Sequence, residues 1–73
     1  MKAIYDPETD TLMLILREDP VAESDEIREG IIIDYDRKGR VVSIEMLNAS
    51  EHIAEPLGFV YEVRPTHPVL ART

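Results

Sequence analysis

The densest run of β-branched side chains lies between Gly30 and Leu47, in the segment GIIIDYDRKGRVVSIEML. Ile31, Ile32, Ile33, Val41, Val42 and Ile44 lose rotamer freedom in a helix and pack well on a pleated surface. Between them stands the polar stretch Asp34-Tyr35-Asp36-Arg37-Lys38-Gly39-Arg40. Aspartate bonds its own downstream backbone, and glycine accepts the positive φ that closes a hairpin loop, so Gly39 is the expected left-handed residue. The second run alternates: Val42, Ile44 and Met46 point one way, Ser43 and Glu45 the other. That pattern predicts a strand with one buried and one wetter face. Ile31 to Ile33 is apolar on both faces, as in a central or doubly covered strand.

The same logic reads the rest of the chain. Lys2 to Asp6 is a short strand, closed by a turn over Asp6-Pro7-Glu8-Thr9-Asp10, in which proline presets the first corner and Asp6 caps it. Thr11 to Arg17 is the second strand, with Leu12, Leu14 and Leu16 on one face and Met13 and Ile15 on the other. Both faces call for cover, one by a helix and the other by a partner subunit. Glu18 to Glu29 reads as an extended or irregular acidic connection, and Gly30 as a bulge or sharp entry into the central strand. Asn48 followed by Glu51 fits a helix start, giving a short helix over Ala49 to Glu55 that Pro56 ends. Phe59 to Arg64 alternates again and is a candidate fifth strand; Thr66 to Thr73, with His67, is expected to fray. The prediction is an α+β fold: an antiparallel β-meander of about four strands, one short C-terminal helix and the candidate fifth strand. Residues 1–55 form the domain and 56–73 a C-terminal extension.

Length sharpens this picture. A chain of 73 residues buries only about 60% of its unfolded surface and needs help to be stable. Cysteine is absent, so disulfides supply none. No histidine or carboxylate cluster has metal-ligand spacing. Association remains, which predicts a homodimer. The longest apolar run, Leu12 to Leu16, is five residues and too short to span a bilayer. Met1 to Asp6 carries no apolar leader, so a cytoplasmic location away from membranes is expected.

Charge divides the chain. Through Asp36 there are 11 acids and three bases; from Arg37 onward there are four acids and five bases. An acidic N-terminal half repels phosphate backbones, which argues against nucleic-acid binding and in favour of a basic protein partner. The candidate interaction surface is Glu18, Asp19, Glu23, Asp25, Glu26 and Glu29.

Several short motifs recur in a known order: Tyr5-Asp6-Pro7-Glu8-x-Asp10-x-Leu12, then Pro20-Val21-Ala22-Glu23-Ser24. Gly30-x-x-x-Asp34-Tyr35-Asp36, Gly39-x-Val41-Val42-x-Ile44-Glu45 and Ala49-Ser50 follow. From Met1 to about Ile53 the chain resembles the small bacterial domain-of-unknown-function family 2283. The resemblance implies a compact β-rich domain with a small terminal helix. It carries over no activity and no catalytic residue. Some members have been suggested as antitoxin-like partners of small toxins.

Candidate chemistry is sparse. Asp6-x-Glu8-x-Asp10 imitates the start of a calcium loop, but Thr11 and Arg17 stand where glycine and glutamate belong. Ser24, Ser43 and Ser50 lack a paired histidine and aspartate, and the three glycines form no phosphate loop. No cofactor or metal is implied. The expected function is a self-associating, acidic protein-interaction module, antitoxin-like toward a small basic protein. The alternative is a ligand- or metal-binding domain or an enzyme, with Asp34, Asp36 and Glu45 at a subunit interface.

Overall fold

A computed structural model describes residues 1–65. Five strands form one antiparallel sheet: β1 (Lys2–Asp6), β2 (Thr11–Ile15), β3 (Glu23–Arg28), β4 (Ile31–Tyr35) and β5 (Val41–Met46), in the order β1-β2-β5-β4-β3. The β1–β2 hairpin and the β3–β4–β5 meander meet where β2 pairs with β5.

Both hairpin turns form by the expected chemistry. The Asp6 carboxylate accepts the Glu8 amide at 3.0 Å, an aspartate turn behind Pro7. Asp36 organises the β4–β5 loop: its Oδ1 accepts the amides of Lys38 and Arg40, each at 2.9 Å, and Gly39 has φ of 79°. Gly30 has φ of 81° and turns β3 into β4, and its amide donates to the Glu26 carboxylate at 2.9 Å.

Three expectations are corrected. The helix over Ala49 to Glu55 is a single 3-10 turn, Ala49–Glu51, so the chain is mostly β rather than α+β. Asn48 does not cap it; it adopts a left-handed conformation with φ of 51° and makes no side-chain cap bond. Asp10 takes over instead: its carbonyl accepts the Ala49 amide at 2.8 Å and its carboxylate accepts the Ser50 amide at 3.1 Å. The fifth strand is Glu23–Arg28, inside the stretch read as a connection, while Phe59 to Arg64 forms no strand. β3 is exposed along its whole length, so burial imposes no apolar alternation on it; its ladder to β4 makes it a strand. Asp34, read as a turn residue, lies within β4. The expected fraying of Thr66 to Thr73 falls outside the described residues.

Directly paired residues of antiparallel strands share a face. The register therefore builds two aliphatic rows across the central strands: Leu12, Met46, Ile31 and Leu14, Ile44, Ile33. The opposite face carries Met13, Glu45, Ile32 and Ile15, Ser43, Asp34. Ile53, Pro56 and Leu57 lie over Ala3, Tyr5 and Leu12, on the side of the aliphatic rows. Only part of that face is covered: all six side chains of the rows are half-buried, and Val42 and Ala49 are the buried apolar residues among those described.

The two positive-φ glycines differ in their surroundings. A Cβ at Gly30 would sit 3.3 Å from the Leu47 carbonyl oxygen, whereas one at Gly39 would meet nothing within 4 Å. Gly39→Ala is expected to cost about 1 kcal/mol, the left-handed penalty alone. Gly30→Ala adds a backbone contact and should cost more. Urea unfolding of the two variants measures the difference.

Candidate functional site

The polar face of the sheet gathers the best-ordered chemistry. Asp34 is 2% exposed and Ser43 equally buried. The Ser24 hydroxyl donates to Asp34 Oδ1 and the Ser43 hydroxyl to Asp34 Oδ2, each at 2.6 Å. Register explains the cluster: Ser24 and Ser43 are the direct partners of Asp34 on its two neighbouring strands. Glu45 lies diagonally, opposite Ile32, and its carboxyl hydrogen-bonds Asp34.

Two neighbouring carboxyls push each other's pKa values apart. The hydrogen bond to Asp34 raises the Glu45 pKa, helped by burial and by the Asp34 charge. Burial alone would raise Asp34 as well. The hydroxyls of Ser24 and Ser43 and the Glu45 carboxyl together outweigh it and hold Asp34 below the ordinary aspartate value. Glu45 thus holds its proton more tightly than a free glutamate, and Asp34 less tightly than a free aspartate.

Asp36, grouped with these two in the sequence, is committed elsewhere. Its Oδ2 accepts Arg40 Nε at 2.9 Å while Oδ1 holds the loop amides. Burial pushes its pKa up, but the bonds from Arg40 and Lys38 prevail and lower it. Arg40, Arg17, Asp19 and Asp36 form one ion-pair network, with Arg17 to Asp19 at 2.7 Å and Arg40 to Asp19 at 3.3 Å. Arg37, Lys38, Pro20 and Val21 join Asp19, Asp36 and Arg40 around an open cleft of about 520 Å³ beside this network.

The acidic surface is split by the fold. Glu23, Asp25 and Glu26 project from the exposed edge strand β3, and Glu18 and Glu29 are exposed in the flanking loops. Asp19 is half-buried and neutralised by two arginines, so it drops out of that surface. His52 follows the 3-10 turn, and among the described residues no group of three or more histidine, aspartate or glutamate side chains is placed to hold a metal ion. No helix is long and apolar enough to cross a membrane among those residues.

One polar cluster escaped the sequence reading. Asp10 has φ of 54° and receives the Tyr5 hydroxyl at 2.7 Å and the Ser50 hydroxyl at 2.6 Å. The Ser50 and Tyr5 hydrogen bonds lower the Asp10 pKa, and the bond to Asp10 raises that of Tyr5. Forty residues separate Asp10 from Ser50, so spacing along the chain gave no sign of it. It fastens the 3-10 turn to the first hairpin.

A single antiparallel sheet with a buried acid–hydroxyl cluster on one face and aliphatic rows on the other defines a small all-β domain. The chain belongs to the family described as "Protein of unknown function (DUF2283)", which matches residues 2–50. The match ends within the 3-10 turn, so the segment after Ser50 lies beyond it. No curated protein and no solved structure matches the chain.

This carboxyl pair makes stability depend on pH. Asp34, lowered, contributes fully above 3.8, its ordinary value, and loses that contribution as pH falls through its depressed pKa. Glu45, raised, contributes fully below 4.5 and loses it as pH rises through its elevated pKa. The pair therefore stabilises most near pH 4 and progressively less toward neutrality. Thermal melts of Asp34→Asn, which removes the charge, should show a flatter decline between pH 4.5 and pH 7 than wild type. Asp34→Ala leaves the buried Ser43 hydroxyl without its acceptor and should cost about 1–3 kcal/mol.

Proposed function

We propose that this protein is a small acidic interaction module that pairs with a second copy of itself and presents its acidic edge to a basic protein partner. The observation that carries the reading is the half-exposed state of Leu12, Leu14, Ile31, Ile33, Ile44 and Met46. Burying such a side chain fully is worth about 1.5–3 kcal/mol. Six of them left partly in water forgo roughly 0.5 kcal/mol each by that measure. The total, roughly 3 kcal/mol, is a sizeable fraction of the stability of a small domain, about 5–15 kcal/mol. A second layer recovers it.

The acids on β3 and its flanking loops supply the second half of the reading. Glu23, Asp25 and Glu26 line one edge, with Glu18 and Glu29 beside it. Exposed like charges steer a basic partner at long range and set the rate of encounter more than the final affinity. An antitoxin-like role toward a small basic protein fits this balance. A catalytic or ligand site at Asp34, Asp36 and Glu45 fits less well, because Asp34 and Glu45 bond each other while Asp36 closes a loop.

Sedimentation velocity at micromolar concentration tests self-association: a dimer is expected, and a monomer overturns it. A basic protein co-purified from the native host should bind faster at low than at high ionic strength, because a Debye length falls from about 30 Å at 0.01 M to about 8 Å at 0.15 M. The combined Glu23→Gln and Asp25→Asn variant should lose much of that salt dependence in stopped-flow association.

A further inference from the structure

The segment after the 3-10 turn lies beyond the family match, yet it is rich in apolar side chains. Leu57, Phe59, Val60, Tyr61 and Val63 are between 64% and 86% exposed. The segment is not detached from the sheet. Phe59 and Tyr61 border a cleft of about 380 Å³ with Ala3 and Leu14, and Leu57 and Phe59 border another of about 300 Å³ with Tyr5 and Leu12. Ala3, Tyr5, Leu12 and Leu14 all sit on the aliphatic face, on β1 and β2. The segment thus overhangs one half of that face, where Leu12 and Leu14 stay half-buried, and leaves most of its own apolar surface in water. The other half, Ile31, Ile33, Ile44 and Met46 on β4 and β5, is half-buried as well.

The geometry points to a second copy of this chain as the occupant, with residues 57–63 as a layer shared between the two sheets. A twofold axis parallel to the strands and passing over the β2–β5 seam lays β1 and β2 of one copy above β4 and β5 of the other. Each copy's 57–63 segment then has its own β1–β2 beneath it and the partner's β4–β5 above it. Both half-covered surfaces are satisfied at once, and the arrangement is closed and self-complementary. It rests on the self-association reading and specifies the surface that performs it.

Area favours the shared layer over bare sheets. Five strands about 4.8 Å apart and about 17 Å long present a flat face of roughly 400 Å². A stable interface takes about 800 Å² from each partner. The face alone falls short by about half. Five exposed apolar side chains, two of them aromatic, bring the missing area. Charge agrees: Glu23 and Asp25 share the aliphatic side of the sheet, through their pairing with Tyr35 and Ile33. The twofold arrangement leaves β3 outside the overlap, so these acids stay at the rim in water and away from the partner's own β3 acids.

Val60 and Val63 are 86% and 74% exposed, so changing them spares the intrachain seat. The full-length Val60→Asp/Val63→Asp variant should keep its β-sheet circular dichroism while its dimer dissociation constant rises roughly 30-fold or more, the scale of losing interface hot spots. The chain has no cysteine, so a cross-link test is clean. Val60→Cys and Ile33→Cys, purified separately and mixed under mild oxidant, should form a covalent heterodimer faster than either forms a homodimer. A wild-type dimer whose dissociation constant is unmoved by the two aspartates, with no preferential cross-link, overturns the shared layer and leaves self-association standing. A monomeric wild-type chain overturns both.

Discussion

The β2–β5 ladder is the constraint on which the rest of this structure depends. β1 and β2 are joined by a tight turn, as are β4 and β5; only the pairing of β2 with β5 joins the first hairpin to the meander within the sheet. It is reinforced at both ends. The Leu16 amide donates to the Val42 carbonyl at 2.7 Å at one end, and Asp10 holds Ala49 and Ser50 at the other. Its register decides the chemistry of both faces. A slip by one residue would exchange them, since side chains alternate with period two. Glu45 and Ser43 would then interrupt the rows made with Leu12 and Leu14. The loss of aliphatic contact on such a slip enforces the observed pairing.

That same register creates the polar cluster. Once Ile44 sits between Leu14 and Ile33, Ser43 has to face Asp34, and Glu45 has to lie diagonal to it. A buried aspartate in a strand is unfavourable on propensity and on desolvation. Here the hydroxyls of Ser24 and Ser43 supply both carboxylate oxygens with donors. The cluster reaches across β3, β4 and β5 and binds the edge strand to the centre by side chains as well as by backbone. β3 has little else to hold it, because every one of its residues is exposed.

Elements were legible in the sequence where local chemistry decides them. Asp6-Pro7, Asp36 and Gly39 announce their turns because proline, aspartate and glycine act over two or three residues. The alternation from Val41 to Met46 announces β5 because one of its faces is wetter than the other. β3 was illegible because an edge strand exposed on both sides has no need of apolar residues. The 3-10 turn was misread because Asn48 and Glu51 imitate a cap, while the partner that satisfies the amides, Asp10, is distant in sequence. The sequence groups Asp34 and Asp36 as carboxylates straddling the turn, with Glu45 from the second strand beside them. Hydrogen-bond partners separate them: Asp36 serves its own loop, and Asp34 serves strands on either side.

The two surfaces left open by the chain differ in how safe they are. An exposed sheet edge invites pairing with another chain, and β3 is such an edge. Its Glu23, Asp25 and Glu26 make that pairing self-repelling, since two copies would set like charges opposite each other. β1 is short and ends at Asp6-Pro7, where proline cannot donate to a ladder. With its edges guarded, the sheet keeps its half-buried aliphatic rows on a face and away from its edges. Edge-to-edge growth has no natural limit, whereas facial pairing about a twofold axis consumes the surface that drives it. A chain of net charge −7 with acids on its edge and aliphatics on one face is therefore guarded against unlimited edge-to-edge pairing.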